Sequence, residues 1–274
     1  MPPTSVVGVG PSRSESSMLP IGIFVATRWE LQAVRRALPT DRVATVSGIR
    51  CHIGQSGDQI YWLIQTGVGP VEAGRVARAV LTAQAMSLVI STGFACALAP
   101  AQVGDLLLGT EVFPFDIEEV GAVKGEPLLC DEVVRSGCVA VAQDAGLVVR
   151  TGTVVSSPVV LWRAEEKRRL RRLTDATGLD MESAAIASAA RGQGSPMAIM
   201  RTVSDLEDED LPLDFNLFLR PTGWAQGLWS LVSRPSSLAG LNRLRRQSRI
   251  AADRLTEWFQ HYAEAGGGLR RELR

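Results

Sequence analysis

Residues 178–205, GLDMESAAIASAARGQGSPMAIMRTVSD, decide the reading of this chain. A short apolar start, small residues at helical spacing, a Gly/Ser/Pro turn and a second apolar run predict strand, helix, turn and strand. An acid closes each strand: Glu182 in DMES and Asp205 in RTVSD. In α/β folds the carboxyl ends of the strands form the open crevice where sites are built. Two acids placed there predict a binding or catalytic cleft.

Towards the N-terminus, IGIFVA (21–26) is the continuous apolar run of a strand buried on both faces. Thr27 can cap the next helix, with Glu30 in the capping-box position; Glu30 is equally open to that local role and to a site role. Ser47-Gly48 is the turn of a hairpin across 43–53, and IYWLIQ (60–65) is a further strand. It runs into Gly67-Val68-Gly69 and a helix whose apolar side carries Val71, Ala73, Val76, Ala77 and Val80. Strand, glycine turn and helix N-terminus can receive an anion, although glycines also serve a tight turn alone. SLVIS (87–91) continues through small residues to Leu98, a pattern that admits either a ligand or a closely packed helix.

Further strands are expected at 105–112 and 147–155, with helices at 131–143 and 164–173. The basic run KRRLRR in the last helix reads as a solvated face. Strands alternating with helices predict a three-layer α/β/α fold with a mixed, largely parallel central sheet.

The 274 residues, 46% of them hydrophobic, suit one large core. A disordered leader is expected at 1–18, with Met18 an alternative start. A single domain follows at 19–265, with an apolar insert at 206–234, a C-terminal helix and a tail at 266–274. Equal numbers of basic and acidic residues, 29 each, give no electrostatic footprint for nucleic acid and favour a small-molecule partner. Cys51, Cys96, Cys130 and Cys138 form no CxxC pair and have only His52 and His261 for company. No metal site or disulfide framework is expected, and free thiols suit a reducing cytosol. No apolar run reaches the about 18 residues of a membrane span. The insert, with Phe215, Phe218, Trp224 and Trp229, reads as a flap over the site, an oligomer interface or a surface that meets lipid.

IGIFVATRWEL (21–31), QTGVGPVEAG (65–74), STGFACAL (91–98), DMESAAIA (180–187) and RTVSD (201–205) stand in the order of the purine nucleoside phosphorylase and nucleosidase superfamily, which the chain resembles over residues 21–206. VVSSPVVLWRAEEKRRLRRLTDATGLDMESAAIA and SDLEDEDLP bring it closest to the hopanoid-associated phosphorylases. The resemblance implies a nucleoside phosphorylase/hydrolase-like fold and cleavage of the N-glycosidic bond of a purine nucleoside with no cofactor, phosphate being the co-substrate wherever water is not the nucleophile.

In that reading Asp205, held by Ser204, protonates the departing base at N7, because a purine anion is a poor leaving group. Glu182 grips the ribose hydroxyls and stabilises an oxocarbenium-like sugar, with Met181 packed beneath it. Gly93 and Phe94 line the site, Val160 stands at the base-stacking position with Trp162 as an alternative, and Leu161 offers main-chain hydrogen bonds to the purine edge. Glu30 falls where nucleosidases carry the glutamate that activates water, and Ser91 where hexameric phosphorylases carry a phosphate-binding arginine. Both favour hydrolysis. The expected substrate is a 5′-modified adenosine, adenosylhopane first; a methylthioadenosine or adenosylhomocysteine nucleosidase is the alternative, and a catalytically silent nucleoside-binding protein a third. A cytoplasmic homodimer is expected, whose apolar insert is its candidate contact with a membrane or a lipid-linked substrate.

Overall fold

In the computed structural model, which describes residues 19–115, 126–212, 216 and 236–265, one mixed sheet carries helices on both faces. Its strands are β1 (Ile21–Val25), β2 (Arg42–Val46), β3 (Ile49–Ser56), β4 (Gln59–Gln65), β5 (Leu88–Ala97), β6 (Leu106–Pro114), β7 (Leu128–Leu129), β8 (Val149–Ser156), β9 (Gly178–Asp180) and β10 (Met197–Leu206). The helices are α1 (Arg28–Ala37), α2 (Pro70–Ala83), α3 (Glu132–Asp144), α4 (Ala164–Thr174), α5 (Ser183–Gly192) and α6 (Ser236–Glu264). The leader, most of the apolar insert and the tail lie outside the described residues.

The period of two along each strand builds the layers. Ile21, Ile23 and Val25 of β1, Leu88 and Ile90 of β5, and Ala198 and Met200 of β10 face α1, α3 and α6. The alternate residues Phe24, Val89, Met197 and Ile199 face α2 and α5. Helix α6 closes the first layer with Leu255, Trp258, Phe259 and Tyr262; Trp258 is fully buried, stacks on Tyr262 and donates its indole N–H to the Cys138 carbonyl. Residues 240–250 of α6 are less covered, and Ile250 is exposed.

Two sequence expectations need correction. Val71, placed on the apolar side of α2, is 78% exposed, because it sits in the first turn and points away from the sheet that Ala73, Val76, Ala77 and Val80 meet. The KRRLRR run is not simply a solvated face: Leu170 packs into a cluster with Phe113, Phe115 and Leu161, and Lys167 is fully buried. The helical period turns one residue of the charged run inwards with every turn.

Strand β5 positions the site. β1 pairs with its first half in parallel, Phe24 opposite Ser91, and then ends. On the same edge β9 joins only at Cys96 and Ala97. Strand β10 runs parallel along the other edge, continuing antiparallel to β6, which is parallel to β8, itself parallel to β9. The five strands β5, β10, β6, β8 and β9 therefore close into a ring, while β1, β4, β3 and β2 extend as an open wing. Between Ser91 and Cys96 the edge of β5 is left to side chains.

Candidate active site

Glu30 fills that gap. Its Oε1 accepts the main-chain N–H of Phe94 at 2.8 Å. Its Oε2 accepts from the Thr27 N–H at 2.7 Å and the Thr27 hydroxyl at 2.9 Å, which completes the capping box of α1. The local and the site roles left open by the sequence are thus compatible: the cap orients the carboxylate that bridges β1 to β5. Gly93 is glycine for this reason. Its φ is +138°, and a Cβ there would fall 2.2 Å from Glu30 Oε1 and 2.8 Å from Arg201 Nη1.

Glu182 is the N-cap residue of α5, yet its side chain makes no cap bond there. It reaches across to α2 instead, accepting the N–H of Gly69 at 2.8 Å. Gly69 has φ +92° and precedes Pro70 at the first helical position, so the glycine turn does present a helix N-terminus to an anion, supplied by the chain itself. Burial pushes the Glu182 carboxyl up to about 7; Arg201 opposes the shift, the Gly69 N–H with it, while Asp180 and Glu30 add to it.

Arg201, buried to 1% exposure, neutralises this acidic cluster. Nη1 donates to the Thr92 carbonyl at 3.0 Å, and Nη2 donates to the hydroxyls of Ser91 at 3.0 Å and Ser183 at 2.9 Å. Nη2 also lies 2.9 Å from Asp180 Oδ2. Sequence reasoning missed Arg201 and Asp180 as site residues, although each opens a motif already singled out, RTVSD and DMES. Arg28, in the first turn of α1, is exposed; the guanidinium at Ser91 comes from the neighbouring strand.

Asp205 stands opposite Cys96 in the β5–β10 register, and Phe94, which binds Glu30, is two residues back along β5. At about 3.3 Å per residue this separates the two backbone positions by roughly 7 Å. Ser204 donates its hydroxyl to Asp205 Oδ1 at 2.9 Å, with the Ala95 carbonyl 3.3 Å away. The other carboxylate oxygen, Oδ2, receives Lys167 Nζ at 2.7 Å. Burial works against the Lys167 charge, but Cys96, Asp205 and Glu209 outweigh it and raise the ammonium above the ordinary lysine value. The Cys96 thiol beside this pair is pushed well up by burial and by Asp205. Lys167 was the third residue missed.

At the expected base position the main chain of Val160 is engaged on both sides. Its N–H donates to Asn216 Oδ1 at 2.7 Å, and its carbonyl accepts from Asn216 Nδ2 at 2.9 Å. Leu161 is buried, Met181 is half-buried, and Arg163 lies over the Trp162 ring. A cleft of about 670 Å³, lined by Pro70, Phe115, Leu128, Ser156, Pro158 and Arg191 among others, approaches the acids through Pro70 and through Ser156, which donates to Asp180. Neither Glu30, Glu182 nor Asp205 lines it. Among the described residues no group of three or more His, Cys, Asp or Glu is placed to hold a metal, all four cysteines are free, and no helix is long and apolar enough to cross a membrane.

Known proteins share this fold. The 5′-methylthioadenosine/S-adenosylhomocysteine nucleosidase of Haemophilus ducreyi is 28% identical over 211 residues, spanning 73% of this chain and 91% of that protein. Among solved structures, the Helicobacter pylori nucleosidase of the same name superposes with a TM-score of 0.68 at 18% identity, over 88% of this chain and 97% of the other. The futalosine hydrolase of Helicobacter pylori gives a TM-score of 0.69 at 18% identity, over 89% and 98%. These likenesses agree on the mixed sheet and its flanking helices. The family model described as the phosphorylase superfamily matches residues 20–222, and the chain belongs to that superfamily.

Proposed function

We propose that this enzyme of the phosphorylase superfamily hydrolyses the N-glycosidic bond of a 5′-substituted adenosine, with 5′-methylthioadenosine and S-adenosylhomocysteine as its substrates. The observation that carries hydrolysis is the disposition of Arg201. Its Nη1 and Nη2 are taken up by Ser91, Ser183, Thr92 and Asp180, so these donors of the cation beside Glu182 serve internal partners and not a phosphate dianion. Glu30, held by Phe94 and Thr27, is the base for a water molecule.

In this mechanism Glu30 takes a proton from water as its oxygen attacks C1′. Glu182 holds the ribose hydroxyls and balances the positive charge that develops on the sugar. Asp205, oriented by Ser204, protonates the base at N7 as the electron pair of the C1′–N9 bond leaves with it.

The nucleosidase reading takes its substrate from the relatives. The adenosylhopane reading rests on the resemblance carried by residues 154–187 and on the apolar insert, which lies almost wholly outside the described residues. Both are settled by one assay: purified protein with methylthioadenosine, adenosylhomocysteine or adenosylhopane, each with and without phosphate, followed by adenine release. The expected result is phosphate-independent adenine and free methylthioribose. A sugar phosphate product overturns the role of Glu30, and turnover of adenosylhopane alone overturns the substrate.

A further inference from the structure

Lys167 is one of only two lysines among the 29 basic residues of the chain, the other being Lys124. Arginine supplies the cation elsewhere, including Arg171, one turn further along α4, which binds Glu207. Lys167 is also the buried member of that helix's basic run. Its ammonium finds three acceptors: Asp205 Oδ2 at 2.7 Å, the Glu209 carbonyl at 3.0 Å and the Leu206 carbonyl at 3.1 Å. A fixed positive charge does not require lysine in so arginine-rich a chain. What an ammonium does and a guanidinium does not is give up a proton.

Resting on the hydrolytic reading above, we propose that Lys167 supplies the proton that Asp205 passes to the base, so that the acid of this site is a lysine–carboxylate pair. The proton moves from Lys167 Nζ to Asp205 Oδ2, and a proton moves from the Asp205 carboxyl to N7 as the C1′–N9 bond breaks and its electron pair goes to the purine. Water forms the new bond to C1′ and loses its proton to Glu30. Lys167 is left as a neutral amine and regains a proton from solvent after the base departs, while Glu30 returns one. Lys167 acts on the substrate only through Asp205 and is in that sense a positioning residue.

The groups that face the pair keep its proton on Lys167 until the base draws it through Asp205. From β5 comes the Cys96 thiol, neutral because burial holds its proton in place. From β10 comes the Ser204 hydroxyl, which fixes the other carboxylate oxygen. From the loop after β10 come the carbonyls of Leu206 and Glu209, with the Glu209 charge beyond. None of these supplies a second titrating acid at neutral pH, so the pair has one proton to give.

The test compares Lys167→Arg and Lys167→Met with wild type on two substrates over pH 5–10. One is methylthioadenosine; the other is 4-nitrophenyl 5-methylthioriboside, whose phenolate leaves without protonation. On methylthioadenosine Lys167→Arg is expected to lose about 100-fold or more in kcat/KM at every pH. Lys167→Met is expected to fall progressively further below wild type as pH rises, because a lone carboxyl loses its proton at lower pH than an ammonium. On the nitrophenyl substrate both variants should stay within a few-fold of wild type. Wild-type pH profile and rate in Lys167→Arg would show that a fixed charge suffices and overturn the proposal, as would equal losses on both substrates. Lys167→Arg keeps the charge in place, so it decides the matter if Lys167→Met does not fold. Absence of adenine release by wild type refutes the hydrolytic reading itself, and this role with it.

Discussion

The Glu182 carboxylate accepts the main-chain N–H of Gly69 at 2.8 Å across 113 residues of chain, so the N-cap residue of α5 is tied to the start of a different helix. Its carboxyl is pushed up to about 7 by burial, and a neutral carboxyl cannot balance an oxocarbenium charge. In the free protein, kcat/KM should therefore fall about tenfold per pH unit below about 7 on this group's account. Glu182→Gln should lose about 10²–10³-fold at pH 8. Steady-state kinetics across pH 5–9 check both.

The same shift has a stability sign. The folded value lies above the ordinary 4.5, so the group's stabilisation is fully present below about 4.5 and is lost as pH rises through about 7. Glu182→Gln keeps the Gly69 acceptor without the charge. It should be more stable than wild type at pH 8, by up to about 3 kcal/mol, and nearly equal at pH 5. Urea denaturation at the two pH values measures this, and lower stability at pH 8 would contradict it.

Gly93→Ala places a methyl group on Glu30 Oε1 and Arg201 Nη1 at a φ of +138°. The expected result is a loss of about 1–3 kcal/mol in stability together with at least tenfold lower adenine release, because the carboxylate must leave Phe94. Glu30→Gln provides the contrast: it should abolish most turnover while melting within a few degrees of wild type.

Asn216 offers Val160 an amide oxygen and an amide N–H at 2.7 and 2.9 Å. An adenine edge carries the same pair, a ring nitrogen acceptor beside an amino donor. A base docked on the Val160 main chain competes with this side chain. Asn216→Leu should then lower KM for methylthioadenosine several-fold, the scale of two hydrogen bonds of about 0.5–1.5 kcal/mol each, with kcat little changed. A rise in KM would show that the amide helps hold the base.

Trp258→Ala removes a fully buried indole stacked on Tyr262 in the α6 layer. It should cost about 3–5 kcal/mol and leave the turnover of the remaining folded protein unchanged, since the indole is tied to Tyr262 and Cys138 and not to a proposed site residue.

Much of the fold was legible because it depends on local period. The apolar runs of β1, β4 and β5, the Thr27–Glu30 box and the Gly69–Pro70 helix start all read directly, and the acids of DMES and RTVSD could be placed at strand ends. Residues whose role depends on what folds against them were not legible. Lys167 looks like one more charge in KRRLRR until Asp205 comes beneath it, and Arg201 looks like an ordinary strand residue until Ser91 and Ser183 meet it from two other elements. Asn216 pairs with Val160 from 56 residues away, a contact with no sequence period at all.

The ring made by β5, β10, β6, β8 and β9 bears on how copies of the protein meet. Strands closed on themselves offer no unpaired main chain to a neighbour. Among the described residues the free edges belong to the two-residue β7 and to β2, and β2 is a five-residue strand that opens on exposed Arg42. Short borders, one of them opening on a charge, are among the ways natural sheets resist adding foreign strands, so the crevice can stay open at the strand ends without becoming a template for aggregation.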